Sequence, residues 1–208
     1  MTNLIALWGA ELSNHRFRLH FVVSITALVA TLGFFARFLA WVEQRAGATL
    51  PDPILQFVSP RDFTWLTFGL IYVAVVVAII TLSVLPKALL LAIQSYTVMV
   101  WARAAMMYLV PLEPPEGLIV LQDPLVQLVG DGNAPTKDLF FSGHTSTMFL
   151  FFLVSFQKKL KMLFLACTVL VATFVVWQHV HYVIDVAVAP FVAYASYRFA
   201  KGLGSLKE

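Results

Sequence analysis

Phe141-Ser142-Gly143-His144-Thr145-Ser146-Thr147-Met148-Phe149-Leu150-Phe151-Phe152-Leu153-Val154-Ser155-Phe156 decides how this chain is read. The stretch opens on small polar residues and one ionisable side chain, then turns apolar. A second stretch starts the same way: His181-Tyr182-Val183-Ile184-Asp185 leads into an apolar segment that reaches Phe199. An ionisable group at the mouth of a membrane helix is costly to place in lipid, so each start is a functional-site candidate.

The composition supports the membrane reading. Of 208 residues, 60% are hydrophobic and only 12% are charged. Soluble domains carry roughly a quarter charged residues. The net charge of +3 is small, and the single cysteine, Cys167, permits no disulfide within the chain. No nucleic-acid partner is expected.

A helix needs about 20 apolar residues to cross the hydrocarbon core. Six segments qualify or come close: Phe21 to Trp41, Trp65 to Leu85, Ala88 to Val110, Gly143 to Phe156, Leu160 to Trp177 and Val183 to Phe199. The fold class is therefore all-α, a polytopic integral membrane protein built as a six-transmembrane-helix bundle. Residues 1–20 lack the pattern of a cleavable signal and read as a short interfacial segment; residues 21–200 form the membrane domain and 201–208 a tail. The fourth segment is the shortest.

Two connections are long, 43–64 and 111–142. The second holds Pro111, Pro114, Pro115, Pro124 and Pro135, which exclude a helix or a central strand. Its middle, Leu118 to Val129, is apolar and is expected to lie on the membrane surface or to fold back over the site. Arg16, Arg18, Lys87, Lys158, Lys159, Lys161, Arg198, Lys201 and Lys207 gather at one end of the six spans. The positive-inside rule then puts both termini in the cytoplasm, with His144, His181 and Asp185 facing away from it.

His181 and Asp185 are four apart, which makes them neighbours on one face of a helix. Asp185 can accept a hydrogen bond from one imidazole nitrogen, leaving the other free to attack phosphorus. His144 can then act as acid and base for the leaving and entering oxygens. Ser142 is a natural N-cap. The helix start behind it is an anion site, and Gly143 would let a phosphate approach the backbone closely. Arg103, inside the third span, and Lys137, five residues before Ser142, are candidate phosphate ligands. Metal ligands do not cluster in the sequence, so no metal and no cofactor are expected. His179 flanks the second word without belonging to it and reads as a surface residue. Trp41, Trp65, Trp101 and Trp177 suit interface anchoring or packing.

Asp138-Leu139-Phe140-Phe141-Ser142-Gly143-His144-Thr145 and His181-Tyr182-Val183-Ile184-Asp185-Val186 resemble the sphingomyelin synthase-like branch of the type 2 phosphatidic acid phosphatase (PAP2) superfamily. Arg103 to Tyr108 and Leu50-Pro51-Asp52 are softer matches. The resemblance implies six membrane helices, His181 as nucleophile, Asp185 as its partner and His144 as acid and base. It implies phospholipid and lipid-alcohol substrates, with a phospho-headgroup passing to a lipid hydroxyl such as that of a sphingolipid. In the wider superfamily, water is the acceptor and the enzyme is a lipid phosphate hydrolase. The chain departs from both patterns. The Lys-x6-Arg-Pro element of the phosphatases is absent, and Phe174 and Val175 stand where they carry Ser-Arg. Thr136 and Lys137 replace the Cys-Gly of the synthases, and Pro190 replaces a tyrosine. A phospholipase C-like hydrolase and a non-catalytic transporter or scaffold are the alternative readings.

Overall fold

The computed structural model describes residues 4–123 and 134–205. Among them are seven α-helices: α1 Leu4–Ser13, α2 His15–Val42, α3 Thr64–Ser83, α4 Pro86–Leu109, α5 Gly143–Val154, α6 Lys158–Trp177 and α7 Val183–Ser205. A 3-10 turn at Leu55–Phe57 and one isolated bridge between Ala48 and Leu112 shape the long connections.

Five helices, α2, α3, α4, α6 and α7, are long and apolar enough to cross a membrane. The fourth expected span is corrected in length: its helix, α5, has only 12 residues and ends at Val154, not Phe156. At 1.5 Å per residue it measures roughly 18 Å, short of the roughly 30 Å hydrocarbon core. Its setting explains why so short a helix is sufficient. It packs against α4, α6 and α7, and no residue of Gly143–Val154 is exposed. Surrounded by protein, its ends need not reach either membrane surface. By contrast α2 begins at His15, before the expected Phe21, because Asn14 caps it by accepting from the N–H groups of Arg16 and Phe17 at 3.0 and 3.4 Å. Pro86 opens α4, a position where its missing N–H costs nothing.

Small residues set the close packing of the centre. Ala189, Ala193, Ser196 and Ala200 recur at helical spacing on α7 and are at most 3% exposed. They let α7 approach its main neighbours, α4 and α5. Large apolar side chains fill the rest: Phe141, Met148, Phe164, Val171 and Val175 are all fully buried. The outer faces are also apolar, with Val29, Val73, Ile80, Val169 and Phe191 exposed. A surface of that kind suits lipid as its solvent. Trp41, Trp65 and Trp177 lie at helix termini at the same end of the bundle, as an interfacial belt would. Trp101 lies within α4 and donates to Thr31 Oγ1 at 3.0 Å.

Helix alternation brings the end of α2, the start of α3, the end of α4, the start of α5, the end of α6 and the start of α7 to that same end. The two long connections meet there. Leu118 and residues 120–123 line a cavity with His144 and His181, and the Ile119 N–H donates to the Gln178 carbonyl at the end of α6. The remainder of the expected apolar stretch, up to Val129, lies outside the described residues.

Candidate active site

The first word is fixed by its cap. Ser142 is in extended conformation, and its Oγ accepts from the Thr145 N–H at 3.4 Å. That places His144 in the first turn of α5. The early N–H groups of the turn have no acceptor within the helix, as at any helix start. The Ser142 N–H itself donates to the carbonyl oxygen of Asp185 at 3.1 Å, joining the two words through the main chain.

The second word is built differently from the helical face expected for it. Helix α7 starts at Val183, so His181 precedes the helix and does not sit on it. Asp185, in the first turn, reaches back instead. Its Oδ2 lies 3.3 Å from His181 Nδ1 and accepts from the Tyr182 N–H at 3.1 Å. The helix dipole favours a carboxylate at this position. His181 is 1% exposed and Asp185 fully buried. Donation from Nδ1 to the carboxylate leaves Nε2 with a free lone pair. Asp52 holds the start of α7 from outside, accepting from the Val183 N–H at 2.8 Å.

The rings of His144 and His181 face one another with centroids 6.5 Å apart and planes at 63°. Both line one cavity of about 250 Å³, together with Asp123, Asp138, Gln122 and Phe68. Tyr72 donates to the carboxylate of Asp123. His144 Nδ1 and Asp185 Oδ1 are buried without a partner among the described residues.

The phosphate-binding expectations fare unevenly. Arg103 comes to the start of α5, as a phosphate ligand would, but its Nη2 already lies 2.6 Å from Asp138 Oδ1. Its Nε has no partner among the described residues. The space above Gly143, expected to admit a phosphate, is taken: a Cβ there would overlap the Arg103 guanidinium. Gly143 is thus needed so that Arg103 can cross the helix start. Lys137 bonds elsewhere. Its ammonium lies 2.9 Å from Glu113 Oε1 and donates to the Arg45 carbonyl at 2.6 Å, away from the two histidines. Glu113 also accepts from the Gly47 N–H at 2.9 Å. The hydrogen bond from Lys137, then that from Gly47, hold its carboxyl below the usual range.

Two carboxylates of the cavity escaped the site expected from sequence. Asp138 stands in the first word, and the need of a buried arginine for a partner could have flagged it. Asp123 sits in a proline-rich connection where nothing local marks it. On the lipid-facing side, α6 and α7 diverge around a groove of about 580 Å³ whose walls are almost wholly apolar, with Thr145 and Phe149 of α5 reaching it.

Residues 137–202 match the family model of the PAP2 superfamily C-terminal domain. The match covers roughly a third of the chain and takes in both words, from Ser142 through Asp185. It supports membership of that superfamily and phosphatase- or phosphotransferase-type chemistry in a membrane. A comparison with curated proteins gives no match.

Proposed function

We propose that the protein is an integral-membrane lipid phosphotransferase that moves a phospho-headgroup from a phospholipid to a lipid hydroxyl through a phosphohistidine, as sphingomyelin synthase-like enzymes would. The observation that carries this reading is the buried His181–Asp185 pair facing His144 across one cavity. His181 Nε2 attacks phosphorus while the bond from phosphorus to the glycerolipid oxygen breaks, and His144 gives that oxygen its proton. Asp185 holds the His181 tautomer and stabilises the cation formed on attack. In the second half, His144 takes the proton of the acceptor hydroxyl as its oxygen bonds to phosphorus and the nitrogen–phosphorus bond breaks. The partial positive charge at the start of α5 and the nearby Arg103 favour the equatorial oxygens.

The apolar groove between α6 and α7 supports a substrate that carries acyl chains. The bias of Lys and Arg supports a site on the extracytoplasmic face, with both termini in the cytoplasm of a bacterial inner membrane. The chemistry proposed needs no metal and no cofactor, so turnover is expected to survive excess chelator.

The test is the fate of a labelled headgroup. Purified protein in lipid nanodiscs, given labelled phospholipid and a lipid alcohol, is expected to place the label on the second lipid. Label released only into water would replace the transferase reading with a phosphatase or phospholipase C-like one. Turnover that persists unchanged in both His181→Ala and His144→Ala would overturn the site, and no turnover in any lipid panel would favour a transporter or scaffold.

A further inference from the structure

His179 is a buried titratable residue with no part in the chemistry above, two positions before the proposed nucleophile. It is only 5% exposed, which corrects the surface role expected for it. Its backbone lies in the left-handed region, at φ +57°. A side chain with a Cβ enters that region at a cost, and keeps it where its surroundings over-determine the conformation. The ring supplies that constraint. Nδ1 lies 2.7 Å from the Glu116 carbonyl oxygen and Nε2 lies 2.8 Å from the Val58 carbonyl oxygen.

Both partners are carbonyl oxygens, which only accept. A neutral imidazole has one N–H, so one of the two contacts would set a lone pair against a lone pair. Only the doubly protonated ring satisfies both. We infer that His179 is a cationic clasp, a positioning residue whose imidazolium ties the α2–α3 and α4–α5 connections to the turn that presents His181.

The surroundings agree with a cation. Asp52 from the α2–α3 connection and Glu116 from the α4–α5 connection line the cavity that His179 lines, with Tyr182 from its own turn. His181 is a further titratable group of that turn. No lysine or arginine lines this cavity among the described residues. The neighbouring Gln178 makes neutral ties to the same two connections, accepting from the Phe63 N–H at 3.1 Å and donating to the Ile119 carbonyl at 3.2 Å. His179 is therefore the ionisable part of a double fastening.

What the clasp positions rests on the phosphotransferase reading; the state of the ring does not. The test is nitrogen NMR of protein labelled in its histidine rings, in nanodiscs, with His179→Gln to assign the signal. Both ring nitrogens of His179 are expected to carry protons. A ring with a single N–H overturns the proposal, whether or not the protein turns over lipid. For activity, His179→Gln is expected to lower kcat about 10- to 100-fold with KM held, as a small misplacement of the nucleophile does. His179→Arg, a permanent cation with donors for both carbonyls, is expected to recover most of kcat. Wild-type kcat in His179→Gln across the pH range would equally overturn the clasp.

Discussion

The backbone N–H of Ser142 donates to the carbonyl oxygen of Asp185 at 3.1 Å, so main chain joins the segment that carries His144 to the one that carries His181. That bond does not involve the Asp185 carboxylate. Asp185→Asn is expected to keep the fold and lose the tautomer control of His181. Activity should fall on the order of 10³- to 10⁴-fold. Turnover measured beside thermal unfolding in the same detergent checks this; a variant that unfolds early would show that the carboxylate is structural first.

Gly143 and Arg103 share one space. Gly143→Ala sets a Cβ into the guanidinium and should drive Arg103 off Asp138. The lost charge-assisted bond is worth about 1–3 kcal/mol of stability. In an Arg103→Leu background the same alanine should cost little, since the clash and the bond are both gone. A double-mutant cycle on the unfolding midpoint reads the coupling. Equal losses in both backgrounds would contradict the shared-space account.

His144 is assigned to the leaving oxygen. His144→Ala should slow a natural lipid substrate far more than a nitrophenyl phosphodiester, whose leaving group needs no proton. His181→Ala should abolish both. Steady-state rates on the two substrates decide it, and equal losses in His144→Ala would remove the acid role.

Lys137 bonds Glu113 and not the cavity, so Lys137→Met should leave KM unchanged and weaken the connections around Glu113. The pH effect has a definite sign. The Glu113 carboxyl is held below its ordinary value of 4.5 in the folded protein, so its stabilisation is present above that value and is lost as pH falls through the lower folded one. Unfolding midpoints across the acid range should fall less steeply in Lys137→Met than in wild type. A raised KM with unchanged acid stability would restore the phosphate-ligand reading.

What could be read from the sequence was local. The Ser142 cap, the apolar runs and the four-residue spacing of His181 and Asp185 are short-range patterns, and each has its counterpart in the structure. The spacing was legible but its geometry was not: Asp185 reaches back from α7 to a residue that precedes the helix. The shortness of α5 was legible in its apolar run, but the packing that makes so short a helix sufficient was not, because it depends on the helices that enclose it. Arg103 found its partner 35 residues away in Asp138, and Lys137 found its own 24 residues away in Glu113. Such pairings depend on how the connections fold over the helix ends, which no local periodicity records. His179 was misjudged for the same reason, since its two acceptors come from loops 63 and 121 residues distant.

The central claim is covalent. Protein quenched during turnover of a phosphate-labelled phospholipid, then digested and analysed by mass, should carry the phospho-headgroup on His181 as an acid-labile adduct. The adduct should accumulate when the acceptor is withheld and be absent from His181→Ala. Steady turnover with no label on His181, or turnover surviving in His181→Ala, would contradict the account.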